Sequence, residues 1–102
     1  MSTGAIITNV VTFIVRQFAK YGAENVKWDL VRADVAERVA KLVPGDLFDP
    51  FAQMIVEKII VLIENLCKDE KAFADIKAAI EAKNFKGIIQ ALIDHCKVQL
   101  LA

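Results

Sequence analysis

Apolar residues recur along this chain with the period of a helix, not of a strand. At about 100° per residue, Ile6, Ile7, Val10, Val11, Phe13, Ile14, Phe18 and Tyr21 share one broad face of a segment over about 4–21. Thr8, Asn9, Thr12, Arg16 and Lys20 gather on the opposite face. The β-branched runs Ile6-Ile7-Thr8 and Val10-Val11-Thr12 suit a strand on propensity alone. Alternation fails, however, because Thr8, Val10 and Thr12 would then point the same way. The spacing predicts a helix, and Gly22 is placed to stop it.

Four more segments follow the same logic. A helix over about 25–43 carries a narrow stripe, Trp28, Val31, Val35, Val39 and Leu42, and charges alternate around the rest of its surface. That pattern describes a peripheral helix with one face docked. Val43-Pro44-Gly45-Asp46 ends it, and Asp49-Pro50, or Asp46 instead, starts the next. The third segment, about 50–67, places Phe51, Ile55, Val56, Ile59, Ile60, Leu62, Ile63, Leu66 and Cys67 over roughly half its circumference. Its polar stripe is narrow: Gln53, Glu57, Glu64 and Lys68, with Lys58 and Asn65 beside Met54 and Val61. So apolar a helix belongs at the centre of a bundle. Asp69 caps a short helix over about 70–83 with Phe73, Ile76 and Ile80 on one stripe. Asn84 caps the last, about 85–100, whose face is Phe85, Ile88, Ile89, Leu92, Ile93, Cys96 and Leu100. The expected fold is all-α, a compact bundle of about five helices with the third central, forming a single domain over 1–102.

Composition adds a question of where the side chains go. The chain is 56% apolar with a mean hydropathy of +0.41, against roughly 45–50% for ordinary soluble domains even with glycine counted. Setting aside the 14 alanines, 12 Ile, 11 Val, 8 Leu and 6 Phe remain for 11.3 kDa. A small domain has much surface for its volume, so some of this apolar area is expected to meet another body. The surfaces expected to do so are the first helix, through Ile7, Val11, Val15 and Phe18, and the tail, through Val98, Leu100 and Leu101. Phe48 joins them as the aromatic residue expected to be exposed in the turn between Asp46 and Asp49, whereas Trp28 and Phe51 are assigned to the core.

Charge narrows the function classes. Thirteen Lys and Arg balance 13 Asp and Glu, which removes the repulsion that keeps copies apart and the field of a dedicated nucleic-acid binder. Residues 1–22 carry no acid at all, and there Arg16 and Lys20 form an i,i+4 basic pair suited to an anion or a headgroup surface. The longest nearly uncharged run ends at Arg16, too short to span a bilayer. No basic n-region precedes it, so neither a signal peptide nor a transmembrane helix is expected.

Little in the chain suggests chemistry. Cys67 and Cys96 fit no metal spacing and both project from apolar faces, as inert buried thiols do. His95, the single histidine, points about 100° away from its neighbour Cys96 on a helix and makes a poor catalytic partner for it. The glycines are scattered, so no phosphate loop forms. No catalytic residue, metal site or cofactor is expected. The leading expectation is a non-enzymatic structural or interaction module, a homo-oligomer or a component of a larger assembly such as a virion, in the cytoplasm or within that assembly. A peripheral membrane-surface protein using its first helix comes second. A small nucleic-acid-binding regulator and a bundle with an apolar ligand pocket follow.

Overall fold

The computed structural model describes residues 2–42 and 50–101, with the side chains of Val39, Ala40 and Leu42 outside that description. Phe48, the Pro44-Gly45 corner and the Asp46 and Asp49 caps also lie outside the described residues. Among those described there are five α-helices and no strand: α1 (Thr3–Tyr21), α2 (Trp28–Leu42), α3 (Pro50–Lys68), α4 (Glu70–Glu81) and α5 (Phe85–Leu101). The radius of gyration, 13.2 Å, is that of a folded domain of this length, about 13 Å.

Local chemistry sets the helix ends. Ser2 caps α1, its Oγ accepting from the Ala5 N–H at 3.2 Å. Within α1 the Thr8 hydroxyl donates to the Gly4 carbonyl at 3.0 Å and Asn9 Nδ2 to the Ala5 carbonyl at 2.8 Å. These polar side chains therefore satisfy themselves on the helix they would otherwise compete with. Gly22 stops α1 as expected, with φ of 86° and its N–H donating to the Phe18 carbonyl at 2.8 Å. The next helix does not begin at residue 25. A 3-10 turn over Ala23–Asn25 and an extended Val26 intervene, so α2 starts at Trp28.

The α3–α4 and α4–α5 junctions follow the expected caps. Asp69 Oδ1 accepts from the Ala72 N–H at 2.9 Å and Asn84 Oδ1 from the Gly87 N–H at 3.2 Å. A Cβ on Gly87 would fall 2.5 Å from Asn84 Nδ2, so glycine there leaves room for the cap. Between the two helices Lys83 has φ of 58°, the left-handed conformation a helix C-terminus demands and glycine usually supplies. α4 consequently ends at Glu81, two residues earlier than periodicity predicts.

Helix α3 is central in the sense predicted: it packs against each of the other four α-helices. The first helix shares that position, touching α2, α3 and α5. Eight of its apolar residues, Ile6, Ile7, Val10, Val11, Phe13, Ile14, Val15 and Phe18, are buried. They meet Ile55, Val56, Ile59, Ile60 and Ile63 of α3 and Ile88, Leu92, Ile93 and Cys96 of α5 in one core. Trp28 packs on Phe18 edge-to-face, with centroids 6.1 Å apart at 78°. Arg38 sits over Phe13 at 4.7 Å. Because 28 meets 18 and 38 meets 13, α2 returns antiparallel along α1.

This arrangement corrects several expectations. Ile7, Val11, Val15 and Phe18 are not an outward interface, because three neighbouring helices cover the whole wide arc of α1. Leu100 is partly buried against the core, while Val98 and Leu101 face out, 63% and 54% exposed. Phe51, assigned to the core, is 55% exposed at the start of α3. Tyr21 also faces out, with Lys20 Nζ 5.1 Å from its ring centre.

Two stability outcomes follow. Phe18→Ala removes a fully buried ring and the aromatic partner of Trp28; urea unfolding is expected to show a loss of about 3–5 kcal/mol. Lys83→Gly relieves the left-handed backbone and is expected to raise stability by about 0.5–1 kcal/mol in the same assay.

Candidate binding groove and exposed surfaces

The antiparallel α1–α2 hairpin leaves a groove of about 580 Å³ along its outer side. Its floor is Phe13, with Val10 and Val35 beneath; Asn9 and Thr12 stand on the α1 wall. Three cations reach it, Arg16 from α1 with Arg38 and Lys41 from α2, and two carboxylates, Asp34 and Glu37. Lys41 Nζ lies 3.4 Å from Glu37, an exposed i,i+4 pair of small energetic value. Arg38 places its Cζ over the Phe13 ring and makes no hydrogen bond or ion pair with Asp34 one turn before it. The Arg16 side chain is exposed and makes no hydrogen bond, ion pair or ring contact among the described residues. A smaller hollow of about 350 Å³ continues the seam past Asp34 towards Tyr21, Lys27 and Leu30.

Of the two residues suggested as anion contacts, the fold places Arg16 in this groove and leaves Lys20 outside it, against Tyr21. Arg38 is the residue the sequence reading missed. It counts there as one of many solvated charges on α2, and only the docking of α2 on α1 brings it into the same groove as Arg16.

A second polar feature ties α2 to α3. Arg32 Nε donates to Glu57 Oε1 at 3.0 Å, and its Nη2 donates to Glu64 Oε1 at 2.8 Å. The bond to Glu64, then that to Glu57, raises the Arg32 pKa. Glu64 thus turns to the neighbouring helix and not to Lys68 four residues on. Lys77 of α4 meets Glu24 of the 3-10 turn at 2.8 Å, an exposed pair that raises the Lys77 pKa.

The outward face of α3 carries Phe51, Met54, Lys58, Val61 and Asn65, all exposed and spaced alternately by three and four residues. Val98 and Leu101 form a second exposed apolar pair at the end of α5. Among the described residues no group of three or more His, Cys, Asp or Glu is placed to hold a metal ion. None of their helices is long and apolar enough to cross a membrane. His95 is half-buried. Cys96 is buried and Cys67 half-buried, and both thiols are free.

These features define a small all-α bundle with a groove on one helical hairpin. Compared with protein-family models, curated proteins and solved structures, the chain matches none.

Burial pushes both thiols up from the ordinary 9.0 to about 11, with the Glu64 charge adding to the effect at Cys67. In the unfolded chain they ionise near 9.0. Their contribution to stability is therefore complete below pH 9 and is lost as the pH rises from there towards about 11. Urea melts at about pH 10 are expected to show about 2–3 kcal/mol less stability than at about pH 8, most of which Cys67→Ala/Cys96→Ala removes. Ellman's reagent is expected to react with neither thiol until the chain is denatured.

Proposed function

We propose that this chain is a non-enzymatic interaction module that associates with copies of itself through the outward face of α3. The observation that carries this reading is the exposed stripe Phe51, Met54, Lys58, Val61 and Asn65, whose three-and-four spacing is that of a helix–helix seam. With α1 buried, this stripe is one of the places where large apolar side chains stay exposed, beside Tyr21, Leu30, Val98 and Leu101.

Two properties support a second copy as the occupant. The stripe is close to symmetric about its midpoint, with an apolar residue on either side of the adjacent Glu57 and Lys58. A two-fold axis near that midpoint would set Lys58 of one copy against Glu57 of the other, while Met54 and Val61 cover each other, as an isologous contact requires. Glu57 remains about half exposed although Arg32 engages it. The formal net charge is zero, so no long-range repulsion opposes the approach.

Val98 and Leu101 offer a second contact face on α5. Two faces per copy suit a ring, a shell or another multi-chain assembly better than an isolated dimer. A membrane contact through the first helix is less favoured, because Phe13 and Phe18 are buried against the neighbouring helices. Zero net charge likewise gives the nucleic-acid reading little support.

Sedimentation equilibrium over a wide concentration range tests the proposal. Wild-type protein is expected to show reversible self-association that Met54→Glu/Val61→Glu weakens by about tenfold or more while the monomer stays folded, since both side chains are exposed. A strict monomer at the highest concentrations, or an unchanged association constant in the double variant, would overturn it.

A further inference from the structure

We propose that Met54 is an oxidation-sensitive site through which a peroxide controls self-association: oxygen transfer to its sulfur sets a polar sulfoxide in the α3 contact and separates the copies. The inference rests on self-association through α3 and names how that contact is regulated.

Access selects the target. Among the described residues three side chains carry sulfur: Met54, Cys67 and Cys96. Cysteine reacts with peroxide as the thiolate, so it needs both ionisation and exposure. Cys96 is buried and Cys67 half-buried. Burial also pushes both thiols up to about 11, so almost none is ionised at neutral pH. A thioether has no proton to lose, and access to its lone pair is what limits its oxidation. Met54 is 45% exposed on the outward face of α3. The oxidant is left with Met54.

One peroxide serves each side chain. The sulfur lone pair attacks one peroxide oxygen, an S–O bond forms and the O–O bond breaks. Sulfur gives up two electrons, which reduce the peroxide, and the second oxygen leaves as water, or as an alcohol from an organic hydroperoxide.

Position supplies the consequence. Met54 shares the apolar part of the stripe with Phe51 one turn before it and Val61 two turns after. Its flexible, polarisable thioether suits a helix–helix seam, and the sulfoxide does not. Water satisfies the sulfoxide oxygen in the free chain. Burying such an acceptor is unfavourable unless a donor meets it, and the Phe51, Met54 and Val61 side chains of a second copy have none to give. A two-fold contact contains the change twice. Association in turn covers the sulfur, so assembled copies are oxidised more slowly than free ones.

Hydrogen peroxide treatment of the full chain tests this, read by peptide mass mapping and sedimentation equilibrium. Met54 is expected to gain one oxygen before either thiol does, and to gain it more slowly at high protein concentration than at low. The wild-type association constant is expected to fall about tenfold or more, equivalent to about 1.4 kcal/mol. Methionine sulfoxide reductase with dithiothreitol is expected to restore it. The urea midpoint of the monomer is expected to stay in place, because the side chain faces out of the core. In Met54→Leu the constants before and after peroxide are expected to agree, whatever value leucine sets. Oxidation of a thiol ahead of Met54, an unchanged wild-type constant once Met54 is oxidised, an equal fall in Met54→Leu, or unfolding of the oxidised monomer would each overturn the inference and leave self-association standing. A wild-type chain that is a monomer before any treatment would instead remove the contact on which the inference rests.

Discussion

The whole bundle depends on enclosing the first helix. Eight apolar side chains spread over more than half the circumference of α1, and no single neighbour could cover them. Three do: α2, α3 and α5 each take a sector, and the core is the volume they share with α1. Removing that area from water is the main favourable term in folding a chain of this size. The helices are consequently arranged around α1 and α3 as a pair, with α4 packed against α3 and α5.

Polar interactions work at the margins of this core. Among the described residues no polar or charged side chain is buried, so fit among Ile, Val and Phe side chains specifies the packing. Arg32 links α2 to α3 from a partly exposed position, and Lys77 fastens α4 to the 3-10 turn at the surface. Exposed pairs of this kind contribute about 0–1 kcal/mol each. Their use is to choose how neighbouring helices are set against one another, while the core supplies the stability. The helix caps act similarly: Ser2, Asp69 and Asn84 decide where helices begin, and Gly22 and Lys83 where they turn.

Once α1 is enclosed, the exposed surfaces are what remains. Among the described residues, the exposed large apolar side chains lie on the outer stripe of α3, at the end of α5, and at Tyr21 and Leu30. Arg16 of α1 and Arg38 of α2 line one groove between the two helices. Both surfaces are by-products of one packing solution, and both are exposed without disturbing it.

Much of this was legible from residue order, because helical period and cap chemistry are local. The all-α class, five helices, the Gly22 stop, the Asp69 and Asn84 caps and the inward aim of Cys96 all follow from neighbours a few positions apart. Helix α2 began late and α4 ended early because Val26 is extended and Lys83 left-handed, backbone choices that apolar spacing does not encode. Sequence alone does not say how many helices surround α1, so its pattern marks Ile7, Val11, Val15 and Phe18 as surplus although they are core, and Phe51 as core although it faces out. Nor could it bring Arg38 to Arg16 or Arg32 to Glu57 and Glu64, since these pairs span 22 or more residues. A helical wheel gives the direction of each side chain about its own axis; which direction is inside is set by the other helices, and only the folded chain contains them.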